Sequence, residues 1–226
     1  MNCLTEQAYE TLLIEAEKRA ERIVVSNKYK RKKGENNFTC WRRYVEKDAY
    51  KSYLNSKCNS KEDLFKIAGL AYSWMPTMLD FYYDENYDWS LLLKYIKQFK
   101  KDNLQIRIPL VEMLSKLVNN SIVGASKTLH IINYKFAPLI DSRVVRGWNR
   151  FFKNEIKAKK IIKLPSSWYW SNLEDHQKKV NFYIKYWDYL LFWKKTINSK
   201  VSLRDLEIIF YLLGERKKKK NARSIL

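Results

Sequence analysis

The chain has 226 residues, of which 46% are hydrophobic and 30% are charged, a balance that is typical of a folded protein and argues against a disordered one. Its net charge of +20 comes from 44 lysines and arginines against 24 acidic residues, so we expect a polyanion as partner. The longest uncharged stretch, Ile67 to Leu79, has 13 residues, well short of the roughly 20 that a membrane-spanning helix needs.

Apolar residues recur at intervals of three and four through most of the chain, and alternating strand-like runs are hard to find. The predicted fold class is therefore all-α, a compact protein of about eight to ten helices. The first helix is predicted from about Thr5 to Val25, and a basic loop from Ser26 to Thr39 follows it. The next helices are predicted at Trp41–Ser56, Lys61–Phe81 with a break at Pro76, Trp89–Lys101, Leu104–Asn119, Ser121–Ile132 and Ser142–Asn154.

The C-terminal part begins with a predicted loop from Lys163 to Leu173. A helix predicted at Asp175–Asn198 carries two apolar stripes, so we expect it to lie between layers of the fold. The last helix is predicted at Ser202–Leu213 and ends near Gly214. We therefore predict one helical domain over residues 1–214, as a single unit or as two lobes with a cleft between them, and a basic tail over residues 215–226.

Several classes of site and location are excluded by composition. Three cysteines without a close pair support neither a disulfide framework nor a cysteine-rich metal site. With five glycines, no Gly-rich phosphate loop occurs, and with two histidines an all-histidine metal site cannot form. We predict no metal site and no cofactor. The first residues show no basic segment followed by an apolar run, so we expect a cytoplasmic protein.

Half of the net charge lies in two tracts. Lys28 and the run from Lys30 to Lys33 give +5, and the segment from Glu215 to Arg223 gives another +5. The remaining +10 is spread through the predicted helical body, which a simple basic tail would not explain. Nucleic acid is the partner that we expect, while a lysine-rich composition without function and an anionic membrane surface are alternatives.

One 25-residue segment combines residue types that can carry chemistry. Gly124 is predicted in a tight turn that lets backbone N–H groups at the following helix start approach a phosphate. Lys127 is predicted in the first turn of that helix, and Asp141 at the N-cap of the next one. Arg143 and Arg146, one turn apart on that second helix, are predicted to face a phosphate backbone. An amine and a carboxylate thus lie near the beginnings of two successive helices.

These residues resemble the helix-hairpin-helix DNA glycosylase superfamily. The family pattern is a glycine-containing hairpin, Lys-Thr opening a helix, an apolar stretch, and a Pro-x-x-Asp-[Ser/Thr]-x-Val-x-x-Arg-like segment. Lys127-Thr128 matches the first part, and Pro138-Leu139-Ile140-Asp141-Ser142-Arg143-Val144 with Arg146 matches the second. The chain has one hairpin glycine where the family usually has two, a shorter interval from lysine to aspartate than many members, and no cysteine-ligated iron–sulfur cluster.

The resemblance implies a helix-hairpin-helix-like fold and a DNA N-glycosylase with associated lyase activity. Such an enzyme flips a damaged or modified base out of double-stranded DNA. Lys127 would form a Schiff base with the sugar, and Asp141 would stabilise the positive charge that develops there or help to prepare the nucleophile. DNA contacts are expected from Gly124, Ala125, Ser126, Thr128, His130, Arg143 and Arg146. Repair and defence against modified phage DNA are both compatible roles, and we expect a monomer associated with the nucleoid.

Two further groups of residues are candidates. Aromatic side chains that could line a base pocket or fill the gap in the duplex are Trp74, Trp168 and Trp170, with Tyr72, Tyr82, Tyr83 and Trp148 as further choices. The acidic cluster of Asp80, Asp84, Glu85 and Asp88 could hold a hard cation for nuclease chemistry, although Asp88 also fits an ordinary N-cap.

Each candidate also has an ordinary structural interpretation. Asp141 fits a helix cap, Lys127 an exposed lysine, His130 a buried structural histidine and Gly124 a helix end. A non-catalytic helical protein that binds DNA or RNA is therefore the main alternative function, and a metal-dependent nuclease is a third.

Overall fold

The computed structural model of the chain describes residues 4–26, 30–40, 57–73, 77–165, 175–197 and 201–215. Within these ranges the protein is all-helical, which confirms the predicted fold class, and the only extended pairing is an isolated antiparallel bridge between Phe81 and Val118. The helices are α1 (Glu6–Ser26), α2 (Lys61–Tyr72), α3 (Trp89–Lys100), α4 (Arg107–Leu117), α5 (Ile122–Ile132), α6 (Ser142–Phe151), α7 (Lys153–Lys157), α8 (His176–Thr196) and α9 (Leu203–Leu213).

Polar side chains at the N-caps fix where most of these helices begin. The Asp88 carboxylate accepts the N–H of Leu91 at the start of α3, which confirms the N-cap interpretation of Asp88. Ser202 and Asp205 form a reciprocal capping box at the start of α9, where a serine side chain and a carboxylate each accept a backbone N–H. Such caps satisfy donors that have no partner inside the helix.

One predicted helix ends well before the limit that its apolar pattern indicates. The helix expected to reach Phe81 ends at Tyr72, and residues 77–81 are not helical. Residues 78–80 contact another part of the chain instead: the Asn119 amide donates to the carbonyl of Met78 (2.8 Å) and its oxygen accepts the N–H of Asp80 (2.7 Å). These contacts hold residues 78–80 in an extended path against the turn between α4 and α5.

The helix predicted over Ser142–Asn154 ends at Phe151, and a separate short helix, α7, follows. The helix predicted over Leu104–Asn119 begins with a 3₁₀ turn at Leu104–Ile106 and ends at Leu117. The predicted helix over residues 41–56 and the basic tail from residue 216 lie outside the described residues.

Helices α6 and α9 touch backbone to backbone at two glycines. A Cβ atom at Gly147 would lie 1.9 Å from the carbonyl oxygen of Phe210, and one at Gly214 would lie 1.7 Å from the carbonyl oxygen of Arg143. No side chain fits at such distances, so both positions require glycine for close packing rather than for an unusual φ. This contact fixes α9 along α6.

The aromatic core lies around this contact. Trp148 on α6 packs against Tyr186, Phe152 and Phe210, with ring centroids 5.5, 4.7 and 5.2 Å away, and Trp148 is fully buried. Helix α8, which supplies Tyr186 and the buried Trp193, contacts α4, α5 and α9. The prediction that this helix lies between layers is confirmed. None of the described helices is long and apolar enough to cross a bilayer.

We expect Gly147→Ala to lower the free energy of unfolding by about 1–3 kcal/mol, because the added methyl group meets backbone atoms of α9 that cannot rotate away. Gly69→Ala in α2 is the matched control. There the nearest atom to an added Cβ is 3.9 Å away, so alanine should stabilise the helix by about 0.5–1 kcal/mol. Urea unfolding of both variants measures the difference. Equal midpoints for the two variants would show that the α6–α9 contact is not tight.

Candidate active site around Lys127 and Asp141

Lys127 is the sixth residue of α5 and lies half-buried in its second turn. Burial lowers the pKa of its amine below the ordinary lysine value, because the charged form loses hydration. The carboxylates of Asp141 and Glu207 act in the opposite direction without cancelling the effect of burial. Lys127 therefore has two carboxylates as charged neighbours, and its amine still loses its proton more easily than the amine of an exposed lysine does.

Asp141 is the N-cap of α6, as predicted. Its Oδ1 atom accepts the N–H groups of Arg143 (2.8 Å) and Val144 (2.9 Å), and the residue has extended backbone angles. Because Oδ1 alone makes the cap, the second carboxylate oxygen, Oδ2, is not required for it. The side chain is partly exposed, so a cap and a second role at the same carboxylate are compatible.

A hydrogen bond from Ile140 to Ser126 connects the residue before Asp141 with the residue before Lys127. Ser126 lies fully buried beside Lys127, and its hydroxyl oxygen accepts the N–H of Ile140 (3.3 Å). The same hydroxyl donates to the carbonyl of Val123 (2.9 Å) within its own helix. This bridge holds the start of α6 against α5, which explains why Lys127 and Asp141 are electrostatic neighbours across 14 positions of sequence.

Glu207 on α9 was not identified as a candidate from the sequence. It is buried (1% exposed), and its carboxylate accepts the N–H of Leu139 (3.1 Å) and a hydrogen bond from the guanidinium of Arg204. A signal was present, since Glu207 lies four residues after Leu203 and three before Phe210, on the apolar face of its helix. A carboxylate on a buried helix face requires partners of this kind.

Two tyrosines of α8 complete the polar contacts of the connection between α5 and α6. The hydroxyl of Tyr183 donates to the carbonyl of Pro138 (2.7 Å), and that of Tyr186 donates to the carbonyl of Leu139 (3.4 Å). Burial raises the pKa of both phenols well above the ordinary tyrosine value, so they stay protonated donors. The segment that carries Asp141 is thus held by side chains from α5, α8 and α9.

The predicted phosphate-binding hairpin is corrected by the structure. Gly124 lies in the first turn of α5 rather than in the turn before it, and Lys127 lies in the second turn rather than the first. The turn is made by Asn119 and Asn120, whose φ values of 52° and 46° are left-handed, a conformation that asparagine tolerates better than most residues. Gly124 instead makes room for Tyr72, whose hydroxyl oxygen would be 2.2 Å from an added Cβ.

The predicted DNA contacts of Gly124, Ala125, Ser126 and Thr128 are also corrected, because all four residues are buried. The N–H of Gly124 donates to the Ser121 hydroxyl (3.2 Å), and the N–H of Ala125 donates to the Ser121 carbonyl (2.9 Å). These two N–H groups are therefore already bonded inside the protein and are not available to a phosphate.

His130 is a structural residue and not a DNA contact, which corrects a third prediction. It is 1% exposed, and its Nδ1 atom is 2.7 Å from the carbonyl of Ala137. Burial, with a smaller contribution from the nearby Arg204, lowers the pKa of His130 to about 3. A neutral imidazole that bonds a carbonyl through Nδ1 carries its proton there and ties the end of α5 to the connection that follows it.

The two arginines of α6 differ in availability. Arg143 is exposed, and its guanidinium lies 4.8 Å from the centre of the Tyr211 ring and donates to the Tyr211 hydroxyl. Arg146 is half-buried, and its Nε donates to the carbonyl of Gly214 (2.9 Å) at the end of α9. Arg143 remains a predicted DNA contact. The guanidinium of Arg146 already donates to a backbone carbonyl, so a phosphate would have to bind its other N–H groups.

The aromatic candidates also differ in whether they are exposed. Trp74, Trp168 and Trp170, predicted for a base pocket or duplex wedge, lie outside the described residues. Of the further choices, Tyr72 and Trp148 are buried in the core, while Tyr82 and Tyr83 are 55% and 46% exposed. Tyr82 and Tyr83 are therefore the exposed rings among these choices, and the ammonium of Lys61 already lies 4.3 Å from the centre of the Tyr83 ring.

The acidic cluster forms no cation site that the structure describes. Asp84 accepts the N–H of Asn86 (2.9 Å) and Asp80 that of Phe81 (2.9 Å), which are local turn contacts. Over the ranges with described coordinates, no group of three or more histidine, cysteine, aspartate or glutamate side chains is placed to hold a metal ion.

Comparison of the chain with protein-family models, with curated proteins and with solved structures finds no match. The likeness to helix-hairpin-helix glycosylases therefore rests on the motif residues from Lys127 to Arg146.

We expect the burial of His130 to make the protein less stable as the pH falls. The pKa is about 3 in the folded protein and about 6.5 when the residue is unfolded, so between these values only the unfolded state takes up the proton. Stability should fall by about 1.4 kcal/mol per pH unit below about pH 6.5. Urea unfolding between pH 7.5 and 5 should show this slope in the wild type and a flatter one in His130→Asn, whose amide can keep the bond to Ala137. Parallel slopes in both proteins would contradict the assignment.

Proposed function

We propose that the protein is a DNA N-glycosylase with associated lyase activity, which removes a damaged or modified base flipped out of double-stranded DNA. The observation that carries the proposal is the half-buried amine of Lys127, whose pKa is lowered by burial, beside the Asp141 carboxylate. An amine nucleophile must be deprotonated, and desolvation is the usual means of achieving this in lysine enzymes.

The proposed chemistry assigns a separate role to each residue. The neutral Nζ of Lys127 attacks the sugar C1′, the C1′–N glycosidic bond breaks, and its electron pair leaves with the base, which takes up a proton. Asp141 stabilises the positive charge that develops on the sugar as the bond breaks. Opening of the sugar ring, in which O4′ takes a proton and Nζ loses its protons, gives an imine. Loss of a C2′ proton from that imine releases the 3′ phosphate and cuts the strand.

The charge of the protein supports a nucleic-acid substrate. A net charge of +20 attracts phosphates through release of condensed counterions. A base inside the duplex cannot reach Lys127, so the nucleotide must be extruded before reaction. Arg143, exposed two residues after Asp141, is the charged group on α6 that we expect to contact a phosphate next to the flipped nucleotide. In a cell, such a protein would be found on the nucleoid, and we expect it to act as a monomer.

A non-catalytic DNA- or RNA-binding protein is the second candidate. The observation that favours it is the burial of Gly124, Ala125, Ser126 and Thr128, because the N–H groups of Gly124 and Ala125 already bond to Ser121 and are not available to a phosphate. In this alternative, Asp141 only caps α6 and Glu207 only holds Leu139. Binding would then survive loss of Lys127, with no chemistry to lose.

We expect borohydride to trap a covalent adduct between the wild-type protein and duplex DNA that contains an abasic site or an altered base, with EDTA present. Oxidised guanine is the first altered base to try. The adduct should disappear in Lys127→Ala, because borohydride traps an imine and the proposed imine forms through the Lys127 amine. Asp141→Asn should keep binding but slow adduct formation about 100-fold or more. Lys135→Ala is the matched control, because Lys135 is an exposed lysine in the connection between α5 and α6.

An adduct that persists in Lys127→Ala would assign the chemistry to another amine. Abasic sites without any adduct would indicate a glycosylase that activates water through Asp141. If no substrate gives an adduct or abasic sites while binding stays tight and salt-sensitive, the proposal is overturned in favour of the second candidate.

A further inference from the structure

Five exposed lysines lie within 11 residues at the C-terminal end of α6 and beyond it. They are Lys153, Lys157, Lys159, Lys160 and Lys163, and we call them the lysine ridge. Between Arg150 and the last of these lysines the only acidic residue is Glu155, so the local charge is strongly positive. None of the sequence motifs or the candidate active site includes the ridge.

The chain that carries the ridge is held firmly against α6. The indole N–H of Trp148 donates to the carbonyl of Ile162 (2.9 Å). The side chain of Asn149 bonds both backbone groups of Leu164, donating to its carbonyl (2.7 Å) and accepting from its N–H (2.9 Å). Ile161 and Leu164 are buried at 4% and 0% exposure. The lysines between and beside these anchors therefore extend from a fixed backbone.

The end of α7 adds to the ridge through an unusual residue choice. The N–H of Lys160 donates to the carbonyl of Glu155 (2.9 Å) and that of Lys159 to Ile156 (3.1 Å), the two bonds of a Schellman cap. Lys159 has a left-handed φ of 56° at the position where glycine is the usual residue. A charged side chain thus occupies a place where backbone conformation alone would favour glycine.

Arginines of α1 extend the positive surface at the start of the ridge. Burial lowers the pKa of Arg19, and the nearby guanidiniums of Arg150 and Arg22 lower it further, which places the three cations close together. Glu15 and Glu215 are the carboxylates that face Arg19 and partly offset them.

We propose that the lysine ridge binds the phosphate backbone of duplex DNA at the end of α6 opposite Asp141. This inference rests on the proposed function for the choice of DNA as the polyanion, and it adds a backbone-binding surface that replaces the buried hairpin. Helix α6 has ten residues, about 15 Å at 1.5 Å per residue. At about 3.4 Å per nucleotide of one strand, this length corresponds to four to five base pairs, so the two ends of α6 lie within the length of one short duplex.

Salt-dependent binding to a duplex with one abasic site tests the ridge. The ridge variant carries four lysine-to-glutamine changes at Lys153, Lys157, Lys160 and Lys163, and it keeps Lys159 to leave the Schellman cap unchanged. The control variant carries the same change at four other exposed lysines, Lys66, Lys94, Lys97 and Lys101, on and beside α2 and α3. Both variants lose the same net charge. Circular dichroism and urea unfolding confirm that both are folded.

We expect the ridge variant to bind at least about tenfold more weakly at 0.1 M salt, and its slope of log affinity against log salt to fall by about 3, since each phosphate contact contributes about 0.9. The control should change either quantity much less. An equal loss in both variants, or no loss in the ridge variant, would overturn the proposal. So would a ridge variant that binds DNA normally but no longer binds vesicles of anionic lipid.

Borohydride trapping at saturating protein separates this inference from the proposed function. Retained trapping with weakened binding in the ridge variant supports a surface that acts apart from the chemistry. If the wild type gives no adduct while the ridge variant still loses affinity and salt slope, the glycosylase proposal fails and the ridge stands. If trapping occurs and the ridge variant binds like the wild type, the ridge fails and the chemistry stands.

Discussion

The close approach of α6 and α9 is the constraint on which the candidate site depends. Because Gly147 and Gly214 have no side chains, the two helix backbones come into direct contact. The guanidiniums of Arg146 and Arg150 then donate to the carbonyls of Gly214 and Leu213, so side chains of α6 satisfy the last acceptors of α9. With α9 fixed in this way, its Glu207 reaches the N–H of Leu139, two residues before Asp141. A contact between backbones at one end of the helix pair therefore sets the position of a carboxylate near Lys127.

The last part of the connection between α5 and α6, from Ala137 to Ile140, is largely buried without regular structure, and its backbone groups need partners from elsewhere. Ser126 and Glu207 accept its N–H groups, and the hydroxyls of Tyr183 and Tyr186 donate to its carbonyls. Side chains of three helices thus determine the path of the segment, and this path fixes the position of Asp141 at its end. Leaving one of these groups unpaired would cost about 1–3 kcal/mol, which makes the path well determined. The same network explains how an ordinary N-cap can also be a precisely placed charge beside a half-buried amine.

Local signals in the sequence were sufficient for the helices and for Asp141, but not for features that depend on distant contacts. The period of three to four residues predicts the helices, and an aspartate before Ser142 predicts the cap, since both depend on neighbours in the chain. The end of α2 at Tyr72 comes four residues before Pro76, where a break is predicted, whereas the path of residues 78–80 depends on contacts with Asn119 that no local pattern predicts. Gly124 was placed in a turn because glycine favours turns, whereas the structure uses it for contact with Tyr72 and gives the turn to two asparagines. The position of Glu207 on an apolar helix face indicates a buried carboxylate, but the sequence does not predict that its partner is the N–H of Leu139.

Lysine serves two different purposes in this protein according to its exposure. On the lysine ridge, exposed ammonium groups extend from a backbone that is tied to α6, so their charge is available to phosphates. Lys127 is half-buried, and burial lowers its pKa although two carboxylates stand nearby. A sequence in which one residue in five is lysine or arginine cannot distinguish these uses by composition, since both contribute equally to the net charge of +20. The distinction comes from packing: the ridge lies where α6 ends at the surface, and Lys127 lies where three helices converge on the segment before Asp141. The two proposals therefore place binding beyond one end of α6 and chemistry at the other.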